Sequence, residues 1–172
     1  MRRYHVEVKD HTLHEEHLIA IGLIVVEWSL TEANVEHSLW ALAEIDEFVG
    51  LALTTHMSSE NRLLALETLS FGRPPKKINE KNHEALLKLL KRFKELRTRR
   101  NKIVHSVWRK NKKGFPKMYR FTAKGKIAFT VESASVPELL KLSREIYAFR
   151  RKFLTFFRKR YPHALSSRNK SS

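Results

Sequence analysis

The chain has 172 residues, 42% of them hydrophobic, and a formal charge of +16 from 34 Lys and Arg against 18 Asp and Glu. That length and apolar content suit one domain with a single helical core, not two. Without any cysteine, a disulfide framework, a thiolate metal site and a cysteine nucleophile are excluded together, and a cytoplasmic location is the expectation.

The start, Met1-Arg2-Arg3-Tyr4-His5-Val6-Glu7, is basic but runs into mixed polar sequence, without the apolar stretch of a secretory signal. From about Leu13 to Val49 the apolar residues Leu18, Ile21, Val25, Trp28, Val35, Leu39, Leu42, Ile45, Phe48 and Val49 recur at helical spacing. This reads as one long helix or two abutting ones, with Ser29 and Thr31 as candidate break points. Its most apolar run, Leu18 to Val26, falls well short of the roughly 20 residues that cross a bilayer, so a buried helix and no membrane partner are expected. A second, short helix starts from Ser58 or Ser59, which suit an N-cap, and carries Leu63, Leu64, Leu66 and Leu69. Phe71-Gly72-Arg73-Pro74-Pro75 stops it.

The charge reverses at that stop. Residues 1–72 carry 4 Lys and Arg against 12 Asp and Glu, whereas residues 73–172 carry 30 against 6. Clustered cations release counterions from a polyanion and steer its approach, so the second segment is the one expected to face RNA. A third helix opens at Asn79 or Asn82 with Leu86, Leu89, Leu90, Phe93, Leu96, Ile103 and Val104 inward. Arg109 to Pro116 reads as a basic turn. Met118 to Ala123 and Ile127 to Val131 are β-prone and flank Lys124-Gly125-Lys126, the pattern of a small hairpin. Ser135, Pro137 and Glu138 open a last long helix to about Tyr161. Its aromatic residues interleave with cations, a pattern shared by RNA-stacking surfaces, but Phe149, Phe153 and Phe156 have core spacing. Residues 1–165 are taken as one domain and Ser166 to Ser172 as a disordered basic tail.

The third helix runs into Arg97-Thr98-Arg99-Arg100-Asn101-Lys102-Ile103-Val104-His105-Ser106-Val107-Trp108. An arginine that grips a phosphate, an amide beside it and an imidazole that titrates near neutrality suffice to cleave an RNA phosphodiester without a metal. Arg100, Asn101 and His105 are the catalytic candidates. Arg97, Arg99, Lys102, Arg109, Lys110, Lys112 and Lys113 are the candidate RNA contacts. On an ideal helix Arg100 and His105 point about 140° apart, so the pair needs either a helix end at the histidine or a second subunit. Arg99 also stands at a workable distance from His105; Asn101 directly after Arg100 favours the latter. His11, His14 and His17 share a helix face near Glu15 and Glu16, a spacing that zinc accepts, but surface histidines are far commoner and neither metal nor cofactor is expected.

The segment Arg100-Asn101-Lys102-Ile103-Val104-His105 resembles the Arg-x4–6-His signature of the HEPN domains (higher eukaryotes and prokaryotes nucleotide-binding), in which a polar residue usually follows the arginine. The resemblance implies an all-α bundle of four to five helices, here with a small β-hairpin inserted between the motif and the last helix. It also implies a homodimer that sets two motifs around one cleft, and a metal-independent endoribonuclease of the kind found in toxin–antitoxin or antiphage systems, with an acidic antitoxin as a further partner. The rival expectations are a non-catalytic RNA- or nucleotide-binding module of the same fold and a regulatory protein-interaction partner.

Overall fold

The computed structural model describes residues 13–72, 80–122 and 127–160. Five helices and three strands follow in the order α1 (Glu15–Ala43), α2 (Glu47–Thr54), α3 (Ser59–Gly72), α4 (Glu80–Val104), β1 (Val107–Lys110), β2 (Pro116–Thr122), β3 (Ala128–Glu132) and α5 (Val136–Arg160). The fold is therefore mostly helical with a small antiparallel sheet. The expected tail, the Pro-rich linker and the zinc candidate His11 lie outside the described residues.

The long N-terminal pattern resolves into two helices, and the break lies beyond Ser29 and Thr31. Both hydroxyls bond back to carbonyls one turn earlier, Ser29 to Val25 at 3.0 Å and Thr31 to Glu27 at 2.7 Å, so both residues stay helical. α1 ends instead at Glu44, whose left-handed backbone (φ 56°) turns its N–H onto the Ala41 carbonyl. Asp46 then caps α2 by accepting from the N–H groups of Phe48 (2.8 Å) and Val49 (3.0 Å). α2 folds back so that Gly50 lies against the Trp40 indole, whose Nε1 donates to Thr54 Oγ1 at 3.1 Å. Ser58 caps α3 through the Asn61 N–H at 3.2 Å.

α1 is the centre of the bundle and packs on α5, α3, α4 and α2. Its buried face carries Ala20, Ile24, Trp28, Thr31, Val35 and Leu39. The Trp28 ring sits 4.7 Å from Phe93 of α4, and Phe93 meets Phe149 of α5, which continues to Phe153 and Phe157 along one face. All five rings are buried, so this part of the aromatic run of α5 is core and its cations lie outside. By length and composition α1 is also apolar enough to cross a membrane, with a mean hydropathy of 1.5 over 18 residues of which 28% are buried. The expected buried helix is thus buried on one side only: Ile19, Leu23, Val26 and Leu30 face solvent on the other.

The expected hairpin is two strands of a three-stranded sheet in the order β1-β2-β3. The segment read as a basic turn begins with a strand: Arg109 and Lys110 pair with Lys117 and Pro116, and the turn proper follows, with Gly114 at φ 80° and the Asn111 Oδ1 accepting from the N–H groups of Lys113 and Phe115. A short strand rich in cations carries no alternating apolar signal, which is why composition hides it. The buried Met118 and the half-buried Trp108 fix the sheet's inner face against the helices. Before α5, Ser135 and Glu138 form a reciprocal capping box: Ser135 N–H and Oγ donate to the Glu138 carboxylate at 2.7 and 2.8 Å. Those two bonds, the backbone donor first, hold the Glu138 carboxyl below its usual range.

Candidate active site

The motif sits where α4 ends, and three consecutive carbonyls show how it ends. Asn101 O accepts from the His105 N–H at 3.0 Å, Lys102 O accepts from Ser106 Oγ, and Ile103 O accepts from the Trp108 indole Nε1 at 3.0 Å. The last carbonyls of a helix have no partner within it. Ser106 and Trp108 supply side-chain donors, so their place after the histidine has a local structural reason.

α4 ends at Val104, and His105 follows it directly. Its exposed ring brings Nε2 to 3.4 Å from Arg100 Nη1, and the same Nη1 donates to Asn101 Oδ1 at 3.1 Å. The two side chains thus meet within one chain, at the end of α4. With its proton on Nδ1, the His105 ring turns the Nε2 lone pair toward the guanidinium as an acceptor. The Arg100 guanidinium carbon lies 6.0 Å from the centre of the Trp28 ring, a contact between a cation and an aromatic face. Arg100 Nε is buried with no hydrogen-bond partner among the described residues.

The neighbouring cations divide into two sets. Arg97 pairs with Glu60 of α3 at 2.7 Å, Arg99 pairs with Glu145 of α5, and Lys102 pairs with Glu132 of β3. These three of the seven expected RNA contacts tie α4 to its neighbours. Glu145 also takes Arg92 at 2.6 Å, and the two guanidinium groups, Arg99 first, hold its carboxyl below the usual carboxylate range against the opposing effect of burial. The other four, Arg109, Lys110, Lys112 and Lys113, lie exposed on β1 and the turn after it. Of the two arginines, Arg99 turns to Glu145 and Arg100 to His105.

His14 and His17 have ring centres 6.2 Å apart, and His17 stands edge-on to Trp108 at 6.3 Å. Among the described residues no group of three or more His, Cys, Asp or Glu side chains is placed to hold a metal. Glu32 of α1 accepts from Ser59 Oγ at the start of α3. Sequence reading missed Trp28 beneath Arg100, because its helical spacing marks it only as core. The chain matches no family model, no curated protein and no solved structure in the comparisons made.

Proposed function

We propose that the chain is a metal-independent endoribonuclease of the HEPN type, with Arg100, Asn101 and His105 as its working residues. The observation that carries the reading is the 3.4 Å approach of Arg100 Nη1 to His105 Nε2 on an exposed edge of the bundle. A phosphodiester placed there meets a donor fork and a base at once. His105 takes the proton of the ribose 2′-hydroxyl, the 2′-oxygen attacks phosphorus, and the bond from phosphorus to the 5′-oxygen breaks as that oxygen takes up a proton from water, His105 returning its own proton to solvent. The products are a 2′,3′-cyclic phosphate and a free 5′-hydroxyl. Arg100 holds the non-bridging oxygens as their charge grows, and Asn101 keeps the guanidinium aimed.

A homodimer is part of the same proposal, supported by α1. Ile19, Leu23, Val26 and Leu30 are exposed at spacings of four, three and four residues, which is the a/d seam that two helices bury between them. A second copy covers such a stripe with its own and brings a second motif into the assembly.

The test is cleavage of single-stranded RNA in EDTA. The wild-type protein is expected to leave 2′,3′-cyclic ends, and His105→Ala and Arg100→Ala, each checked for an unchanged fold, are expected to lose at least about a hundredfold in rate. Cleavage that needs a divalent ion, or full activity in His105→Ala, overturns the reading.

A further inference from the structure

The solvent face of the sheet has a composition that the bundle does not need. Residues on one face alternate along a strand, so with Met118 inward the outward set on β2 is Lys117, Tyr119 and Phe121. The register places Val107 and Val131 beside Tyr119, Phe129 beside Phe121, and Arg109 beside Lys117. Phe121 is 68% exposed and Phe129 53%. Their rings lie 5.0 Å apart and Tyr119 lies 5.9 Å from Phe129, so the three form one continuous aromatic surface.

Burying apolar surface is the main driving force of folding, and an antiparallel sheet whose only task was to close the bundle would show polar residues outward. Here the aromatic surface is bordered by Arg109 and Lys117, and the sheet's one carboxylate among the described residues, Glu132, lies on the opposite face in its pair with Lys102. A second copy of the chain would stack like charges on this face. A polyanion that also offers flat rings satisfies both parts of it. The sheet follows the candidate active site directly in the chain, since β1 starts at Val107, two residues after His105.

We infer that the outer face of the sheet, through Tyr119, Phe121 and Phe129 with Arg109 and Lys117, is a stacking platform for the bases of single-stranded RNA that leads the strand to the motif. The inference rests on the RNA reading above and gives it a substrate form: unpaired RNA, whose bases are free to leave one another and lie on the rings, rather than duplex. Recognition is by ring face and phosphate, so it tolerates sequence.

The experiment measures binding and cleavage separately. The binding probe is a fluorescent oligouridylate about 12 nucleotides long with 2′-O-methyl groups, which has no nucleophile and cannot be cut. Phe121→Leu/Phe129→Leu keeps both exposed positions apolar and removes the rings. It is expected to weaken the probe at least about tenfold with the salt dependence unchanged, because stacking carries no counterion release. It is expected to leave binding of an RNA duplex of equal length unchanged, with an unaltered melting temperature as the check on folding. Arg109→Gln/Lys117→Gln is expected to flatten the salt slope by about 0.7 per lost contact.

Equal binding of the probe by wild type and the leucine variant overturns the platform. So does a leucine variant that loses self-association, or binding to vesicles of anionic phospholipid, while still binding the probe as wild type does; that result makes the face a protein or a membrane surface. The nuclease reading fails separately: ring-dependent binding with no cleavage of unmodified RNA leaves the platform standing and removes the catalytic assignment.

Discussion

Gly50→Ala sets helix propensity against packing. Within α2, alanine at position 50 is worth about 1 kcal/mol over glycine, so local preference alone expects a more stable protein. A Cβ built there lies 2.5 Å from both Cγ and Cδ2 of Trp40 and 2.7 Å from Cδ1, distances that the indole must relieve by moving. Trp40 has little room: it is 6% exposed and its Nε1 is committed to Thr54 Oγ1, which is itself 2.8 Å from the Gly50 carbonyl. Forcing an extra methyl into such a contact costs about 1–3 kcal/mol, and losing the indole hydrogen bond costs about 1 kcal/mol more. After the propensity gain the net expectation is a loss of about 1–3 kcal/mol, or a Tm lower by roughly 3–10 °C for a chain of this size. Thermal unfolding followed by circular dichroism, with urea titration alongside, measures it. Gly22→Ala is the control, since a Cβ there meets no described atom within 4 Å and the exposed substitution is expected to stabilise by up to about 1 kcal/mol. A Gly50→Ala protein that melts at or above wild type refutes the docking of α2 on Trp40.

Glu145 is expected to make folding sensitive to acid. Its folded pKa is lowered by Arg99 and Arg92, so its contribution is present above the unfolded value and is lost as pH falls through the folded one. Glu145→Gln should cost at most about 1 kcal/mol at pH 7, because the arginines are partly exposed, and should flatten the fall in Tm below about pH 4.5. Ile19→Glu/Leu23→Glu should leave the Tm of a dilute sample nearly unchanged and convert a dimer to a monomer by light scattering; a wild-type protein that is monomeric at every concentration removes the seam. Reversing Lys110, Lys112 and Lys113 to Glu should weaken single-stranded RNA binding and flatten its salt slope by up to about 0.7 per contact, and unchanged binding would place RNA elsewhere.

Much of the local structure was written in the sequence because its causes act within four residues. The Ser135 and Glu138 capping box, the Ser58 cap, the apolar rows of α4 and α5 and the Arg100-Asn101-x3-His105 spacing are all of this kind. The seven cations were visible there too, but not their division. Whether Arg99 or Arg100 faces the histidine turns on Glu145, 46 residues beyond Arg99, and on Trp28 of a helix packed alongside.

Tertiary packing also decided which side of α1 meets solvent. An apolar helix reads alike all the way round, and only the positions of α3, α4 and α5 choose the buried face. The same holds for β1 and for the aromatic face of the sheet, where register aligns Tyr119, Phe121 and Phe129 across strands that look unremarkable one at a time. Short-range hydrogen bonding and side-chain periodicity are carried by neighbouring letters, whereas the pairing of charges and the exposure of rings depend on which distant elements come to lie against one another. The sequence by itself therefore determined most of the helices and the spacing of the motif, and the tertiary structure decided which arginine meets the histidine and which apolar surfaces stay uncovered.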